Sequence, residues 1–365
     1  MTTTRDIRLD SLRGILLVIM TFNHLSGGIS ELTKEPFGFV SAAEGFVLLS
    51  AYTSAATWKK GAEPLREMLG TGLRRAWRIY KYHAGLLLAL AAVALAVPAC
   101  RGYWRDYFYT GDGSLAHTVE AGLLLAHQPT YFDILPMYVL FSLLTPFLLR
   151  VLRSGHGAAL LLASGGLWLF GQAVHPVPDL APALGWHTKA GLFNLLSWQG
   201  LWVVGLMIGF AHAHLGNNPV LRRTSAIGAA GAVVLLCFLL RHDLLSVPAA
   251  LQVYFEKSDL GVLRVLNVAA QLVLALYGLT LLRRETGLPF FRFIGRYSLQ
   301  VFTYHVFVVY ALLPFGWRIS ALGALPEAAL HVLIVASLAL PALLYRRYRR
   351  RAGSPRSLPE PVLPR

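Results

Sequence analysis

The sequence predicts an all-α integral membrane protein, a polytopic bundle of about ten transmembrane helices. Three observations carry that reading. Apolar residues make up 56% of the 365 positions and charged residues only 14%, where a soluble domain carries about 25% charge. The apolar residues come in runs of roughly 17 to 25, the length that crosses bilayer hydrocarbon, and the runs recur along nearly the whole chain. The Lys and Arg residues fall almost entirely between them. This composition excludes intrinsic disorder and collagen-like classes. Cys100 and Cys237 form no C-x-x-C pair, so no disulfide or zinc framework follows.

The first run, near 9–29, is LDSLRGILLVIMTFNHLSG. It follows the polar MTTTRDIR and lacks a small-residue cleavage site, so it reads as a retained first helix and not as a signal peptide. The second, near 37–57, contains SAAEGFVLLSAYTSA, and the third, near 83–100, follows the basic KKGAEPLREMLGTGLRRAWRIYKYH. The fourth, near 131–150, contains FDILPMYVLFSLLTPFLL; those near 157–175, 196–214, 223–241, 262–282, 297–317 and 325–345 complete the set. Between them, 101–130 and 176–195 are long, aromatic and His-containing, as functional loops are. Segment 118–127 reads as a helix too short to span. No internal repeat is present. One transmembrane domain is expected over 1–346, followed by a basic, Pro-rich tail at 347–365.

An even number of spans puts both termini on one side. With the N-terminus cytoplasmic, inside segments hold 24 Lys and Arg residues and outside segments 8. The positive-inside rule therefore orients both ends toward the cytoplasm of a bacterial inner membrane. The net charge of +15 follows the same pattern. It suits orientation and contacts with membrane lipids, and lacks the continuous basic face that binding nucleic acid requires.

Ionisable groups inside a span cost several kcal/mol unless paired or facing a wet cavity. The first helix holds Asp10, Arg13 and His24. Arg13 and His24 are eleven residues apart, which returns within about 20° of the same face and separates them by about 16 Å along the axis. One face can thus contact both ends of a long ligand. Glu44, in the second helix, lies at a depth comparable to His24; it either tunes the imidazole or pairs with a polar neighbour to hold helices together. Arg74, Arg75, Arg78 and Lys81 make a cationic stripe entering the third span. They serve as phosphate clamps or as orientation signals, with Arg78 expected to face the cavity. Asp133 stands before an apolar run as a helix cap or an acceptor contact. Trp198, Gln199, Tyr304 and His305 lie on helices that can line the same cavity. His212 with His214, and His242 with Asp243, sit at span ends without a third ligand, so no metal site is expected. No G-x-S-x-G, P-loop or dinucleotide fingerprint occurs.

These blocks resemble the membrane-bound acyltransferases of the type 3 acyltransferase superfamily and, within it, the glucan biosynthesis protein C (OpgC) family. LDSLRG with Arg13-x10-His24 is similar to the superfamily's basic-x10-His signature, and AEGFVLLSAY, RRAWRIYKYH, FDILPMYVL and SLQVFTYHVF resemble later blocks of the family. Ala51 departs from a Gly that many relatives carry, and Lys81 from a Pro frequent in the wider superfamily. The resemblance implies acyl transfer from cytoplasmic acyl-CoA, succinyl-CoA in OpgC, to a hydroxyl of a periplasmic glucan or other envelope glycan, with no permanently bound cofactor. On that reading His24 is the general base, aided by Glu44 or Asp10, and Arg13 with Arg74, Arg75 or Arg78 holds the CoA phosphates. Asp133, Trp198, Gln199, Tyr304 and His305 would contact the acceptor. Direct transfer and an acyl-histidine route both remain open. A polytopic transporter is the alternative, although repeat symmetry and matching broken helices are missing.

Overall fold

The computed structural model describes residues 6–25, 27–56, 64–174, 188–189, 191–215, 224–246, 248–283 and 286–352, and among them the chain is helical, with no strand. It opens with α1 (Ile7–His24), the short α2 (Gly28–Thr33) and α3 (Ala42–Ala56), followed by α4 (Leu65–Ala96). Short helices α5 (Cys100–Trp104) and α6 (Leu115–Leu123) fill the connection to α7 (Ile134–Arg153), and α8 (Gly157–Ala173) follows at once. Next come α9 (Leu195–Leu215), α10 (Thr224–Arg241), the one-turn α11 (Ala249–Gln252) and α12 (Val262–Leu281). The chain closes through α13 (Pro289–Arg296), α14 (Ser298–Leu312), α15 (Gly316–Ser320), α16 (Ala324–Ser337) and α17 (Ala339–Arg351).

Among the described residues, seven helical segments are long and apolar enough to cross a membrane: Leu65–Ala96, Ile134–Arg153, Leu195–Ala213, Thr224–Arg241, Val262–Leu281, Ser298–Ile319 and Ala324–Arg351. The three other expected spans fall on α1, α3 and α8. α1 carries Arg8, Asp10 and Arg13, while α3 has 15 residues and α8 has 17. At about 1.5 Å per residue these last two reach about 22 and 26 Å, short of a hydrocarbon core of about 30 Å. The short helix expected at 118–127 is α6, capped by Ser114 Oγ accepting from His117 N at 3.3 Å. The final helix runs through Arg351, past the expected boundary at 346, and 353–365 lie outside the described residues.

Small residues set the closest helix pairings. A Cβ on Gly14 would overlap the Phe291 carbonyl of α13, and one on Gly295 would overlap the Asp10 carbonyl of α1, so these two backbones cross in direct contact. α3 meets α9 in the same way: a Cβ on Gly205 would stand 2.6 Å from Leu48 O and 2.7 Å from Ala51 Cβ. In a bilayer, where lipid tails are as apolar as Leu, such close packing is a main source of helix association. The divergent Ala51 is therefore a packing residue, fully buried against Gly205.

An aromatic knot anchors the loop between α5 and α7. Trp104 Nε1 donates to Tyr310 O at 2.9 Å, and the Tyr310 hydroxyl lies 2.9 Å from Tyr107 O and 3.0 Å from Thr130 O. Trp104, Phe108, Phe132 and Tyr310 are almost wholly buried around it. Thr130 N also donates to Tyr107 O at 2.7 Å. This fixes the backbone that presents Tyr131 to the bundle interior.

Candidate active site

His24 is the last residue of α1, and its ring is gripped between two others. Its Nδ1 lies 3.1 Å from Nε2 of His305, which is fully buried on α14. Tyr131 stacks against His24 with centroids 4.1 Å apart and planes 28° from parallel, while the His24 and His305 centroids are 5.2 Å apart. Tyr131 has φ 72°, in the left-handed region that aromatic residues seldom adopt. Strain of this kind persists where surrounding contacts over-determine the backbone, and it clusters at functional sites; here the aromatic knot supplies the constraint. A cavity of about 40 Å³ adjoins His24, lined also by Leu25, Val309, Ile319, His331 and Ile334.

Arg13, eleven residues earlier, points into the bundle, where its Nη2 donates to Thr53 Oγ1 at 2.9 Å and its Nη1 lies 3.9 Å from Asp10 Oδ1. Beside it, Arg75 of α4 donates to Ser54 Oγ, with its guanidinium 5.6 Å from the Trp202 ring centroid. The two guanidiniums thus bond to adjacent residues of α3, which sets two like charges side by side. Ser50, Thr53 and Ser54 share one face of α3, and Tyr138 OH donates to Ser50 Oγ at 3.3 Å. The result is a cluster of two guanidiniums and three hydroxyls at the N-terminal end of α1, groups that suit phosphate oxygens.

The member of the stripe that turns inward is Arg75, where the sequence reading picks Arg78. Gly72, Ala76, Ile79 and His83 define the buried face of α4. At about 100° per residue, Arg75 falls within about 70° of that face's centre and Arg78 beyond about 120°. Arg78 and Arg74 are accordingly exposed, and Arg74 Nη2 donates to Thr71 Oγ1 at 2.9 Å.

Several other expected contributors are placed elsewhere. Glu44 does not meet His24. Its Oε1 accepts from Arg264 Nη1 at 2.5 Å, and its Oε2 accepts from Ser41 N at 3.0 Å and Ser41 Oγ at 2.5 Å. The first turn of α3 packs level with Leu16, since a Cβ on Gly45 would lie 3.2 Å from Leu16 Cδ2; that is about two turns before His24. Asp10 pairs with Arg13 at the opposite end of α1, about 21 Å along the axis from His24. Asp133 caps α7, accepting from Ile134 N at 3.1 Å, and with its other oxygen from Leu192 N at 3.1 Å.

Trp198 and Gln199 also hold structure together. Trp198 Nε1 reaches Ser258 O at 3.0 Å, and Gln199 exchanges hydrogen bonds of 2.8 Å with the hydroxyl and carbonyl of Ser164 on α8. Tyr304 faces away from His305, into a groove of about 460 Å³ between α4, α14 and α17, beside Tyr82, Gln300 and Tyr345. Of the expected acceptor contacts, only His305 meets His24.

Tyr131, Thr53, Ser54 and Arg264 are the residues that sequence reasoning missed. Arg264 offers a signal in retrospect. It sits inside the apolar run GVLRVLNVAA, and a guanidinium there needs a buried partner. Tyr131 offers none, because nothing local announces its left-handed backbone.

Fold and site together define a membrane-embedded helical bundle with a histidine pair at one depth and two inward arginines at another. The chain belongs to the OpgC protein family, whose model matches residues 5–350, nearly the whole length. Membership points to a membrane transferase that modifies glucan. Neither curated proteins nor solved structures give a match.

Proposed function

We propose that the protein is a membrane O-acyltransferase that moves an acyl group, succinyl in the first instance, from cytoplasmic acyl-CoA to a hydroxyl of a periplasmic glucan. The observation that carries this reading is the division of α1 between two chemistries. Arg13 stands with Arg75 in a cationic, hydroxyl-bearing cluster at one end, and His24 stands at the other with Nδ1 on His305 and Nε2 outside that bond. The separation of about 16 Å along the axis suits a donor whose phosphates and thioester lie at opposite ends of an extended arm. Ten spans, with α1, α3 and α8 completing the seven longer ones, and both termini in the cytoplasm of the inner membrane, accord with the excess of basic residues on the inner side. Arg13 and Arg75 then open toward cytoplasmic CoA.

In the reaction, His24 Nε2 takes the proton of the sugar hydroxyl as that oxygen attacks the thioester carbonyl. The tetrahedral intermediate collapses, the C–S bond breaks, and the departing thiolate receives the proton from His24. Arg13 and Arg75 bind phosphate oxygens by charge-assisted hydrogen bonds, relieving the repulsion between their guanidiniums. Removing one such bond costs about 1.5–3 kcal/mol. Arg75→Ala is therefore expected to raise the KM for acyl-CoA by about 10- to 100-fold with kcat nearly unchanged. An unaltered KM in steady-state assays of the purified variant would remove Arg75 from the donor site.

The deciding experiment is mass spectrometry of periplasmic glucans from cells with and without the gene. Loss of a succinyl or acetyl increment identifies donor and acceptor together. Unchanged glucans in the deletion strain exclude them as acceptor.

A further inference from the structure

A hydrogen bond between two ring nitrogens requires one to donate and the other to accept, so the 3.1 Å contact of His24 Nδ1 with His305 Nε2 constrains both tautomers. A neutral imidazole carries a single N–H. If His305 donates through Nε2, His24 must accept at Nδ1, its own proton sits on Nε2, and it can take no proton from a substrate. If His305 accepts, the His24 proton sits on Nδ1 and Nε2 presents a lone pair. Only the second arrangement provides a base.

We infer that His305 is a positioning residue that holds His24 in the tautomer whose Nε2 accepts the substrate proton, an inference that rests on His24 being the general base. Burial suits His305 to this, since a ring that is 0% exposed favours the neutral form, with its own proton on the buried Nδ1 and Nε2 left to accept from His24. Tyr131, stacked at 4.1 Å, limits rotation of the His24 ring away from that bond. When His24 takes the substrate proton, the Nδ1–H bond to His305 becomes charge-assisted and strengthens. The gain is realised along the reaction and not on binding, so it acts on kcat and not on donor affinity. No proton passes to His305: the one taken from the sugar goes from His24 Nε2 to the thiolate, and the Nδ1 proton stays in place. The role parallels that of the carboxylate behind the histidine of a serine protease, filled here by a neutral ring.

The test uses the purified full-length protein in detergent, following thiol release from succinyl-CoA, or from acetyl-CoA if that is the donor turned over, in the presence of glucan. His305→Phe keeps a ring of similar shape but removes the acceptor, whereas His305→Gln offers an amide oxygen in its place. The expected result is a loss of about 100-fold in kcat for His305→Phe, with the KM for the donor unchanged. His305→Gln is expected to recover to within about tenfold of wild type. A folded His305→Phe protein with wild-type kcat overturns the inference, and so does a folded His305→Gln protein as weak as His305→Phe. Should His305→Phe fail to insert, His305→Leu replaces it in the comparison with His305→Gln. An active His24→Ala enzyme would instead overturn the general-base reading itself, so the two failures are distinct.

Discussion

Replacing His24 by alanine is expected to lower kcat by about 10³-fold, within the range for a positioned general base and equivalent to about 4 kcal/mol of barrier, while leaving the protein inserted and folded. His24 ends α1 and is half-buried, so its loss removes the 4.1 Å stacking with Tyr131 and the bond to His305 without opening the close contact of α1 with α13. Aromatic stacking of this kind contributes about 1 kcal/mol, small beside the catalytic loss. Thermal unfolding of the detergent-solubilised variant, beside single-turnover and steady-state rates, separates the two effects. Wild-type turnover by a folded His24→Ala protein would refute the base assignment. The same material resolves the route. With donor alone, an acyl group trapped on His24 and detected by peptide mass spectrometry favours a two-step path, and a bare histidine favours direct transfer.

Arg264→Ala is expected to be the most destabilising single substitution considered, by about 3–5 kcal/mol. The guanidinium is 3% exposed and donates to Glu44 Oε1 at 2.5 Å, Glu35 Oε1 at 2.6 Å and Phe255 O at 2.8 Å. Arg241 adds a second contact to Glu35, at 3.1 Å. The network ties the connection after α2 to α3, α10 and α12, and removing its central cation leaves Glu44, 0% exposed, as a buried charge without its guanidinium. Burial alone would push the Glu35 carboxyl up, but the charge and hydrogen bond of Arg264, with Lys257 and Arg241 behind it, hold it below its ordinary value of 4.5. A carboxyl lowered on folding contributes stability that is complete above that ordinary value and fades as the pH falls through the folded one. Wild type should therefore lose stability on the acid side, and Arg264→Ala should show much less of this loss. The double variant Glu44→Gln/Arg264→Met should recover part of the deficit, since it removes both charges together. A wild-type unfolding temperature for Arg264→Ala would show that the network contributes little.

His24 and Arg264 differ in how far the sequence alone reveals their roles. The membrane class, the all-helical architecture and the family resemblance follow from composition, run length and motif blocks, properties that do not depend on which helix meets which. The shared face of Arg13 and His24 is also a property of one helix, because eleven residues make just over three full turns. Arg264, by contrast, carries no local sign of its two carboxylates, one on the connection after α2 and the other on α3.

Composition and periodicity are enough to specify a helical membrane protein whose first helix carries a guanidinium and an imidazole at opposite ends of one face. Tertiary structure alone decided their neighbours. Helical periodicity sets where a side chain points around its own axis, but only the rotation and crossing of packed helices sets what it meets. That packing gave Glu44 to Arg264, turned Arg75 inward in place of Arg78, and brought His305 and Tyr131 against His24.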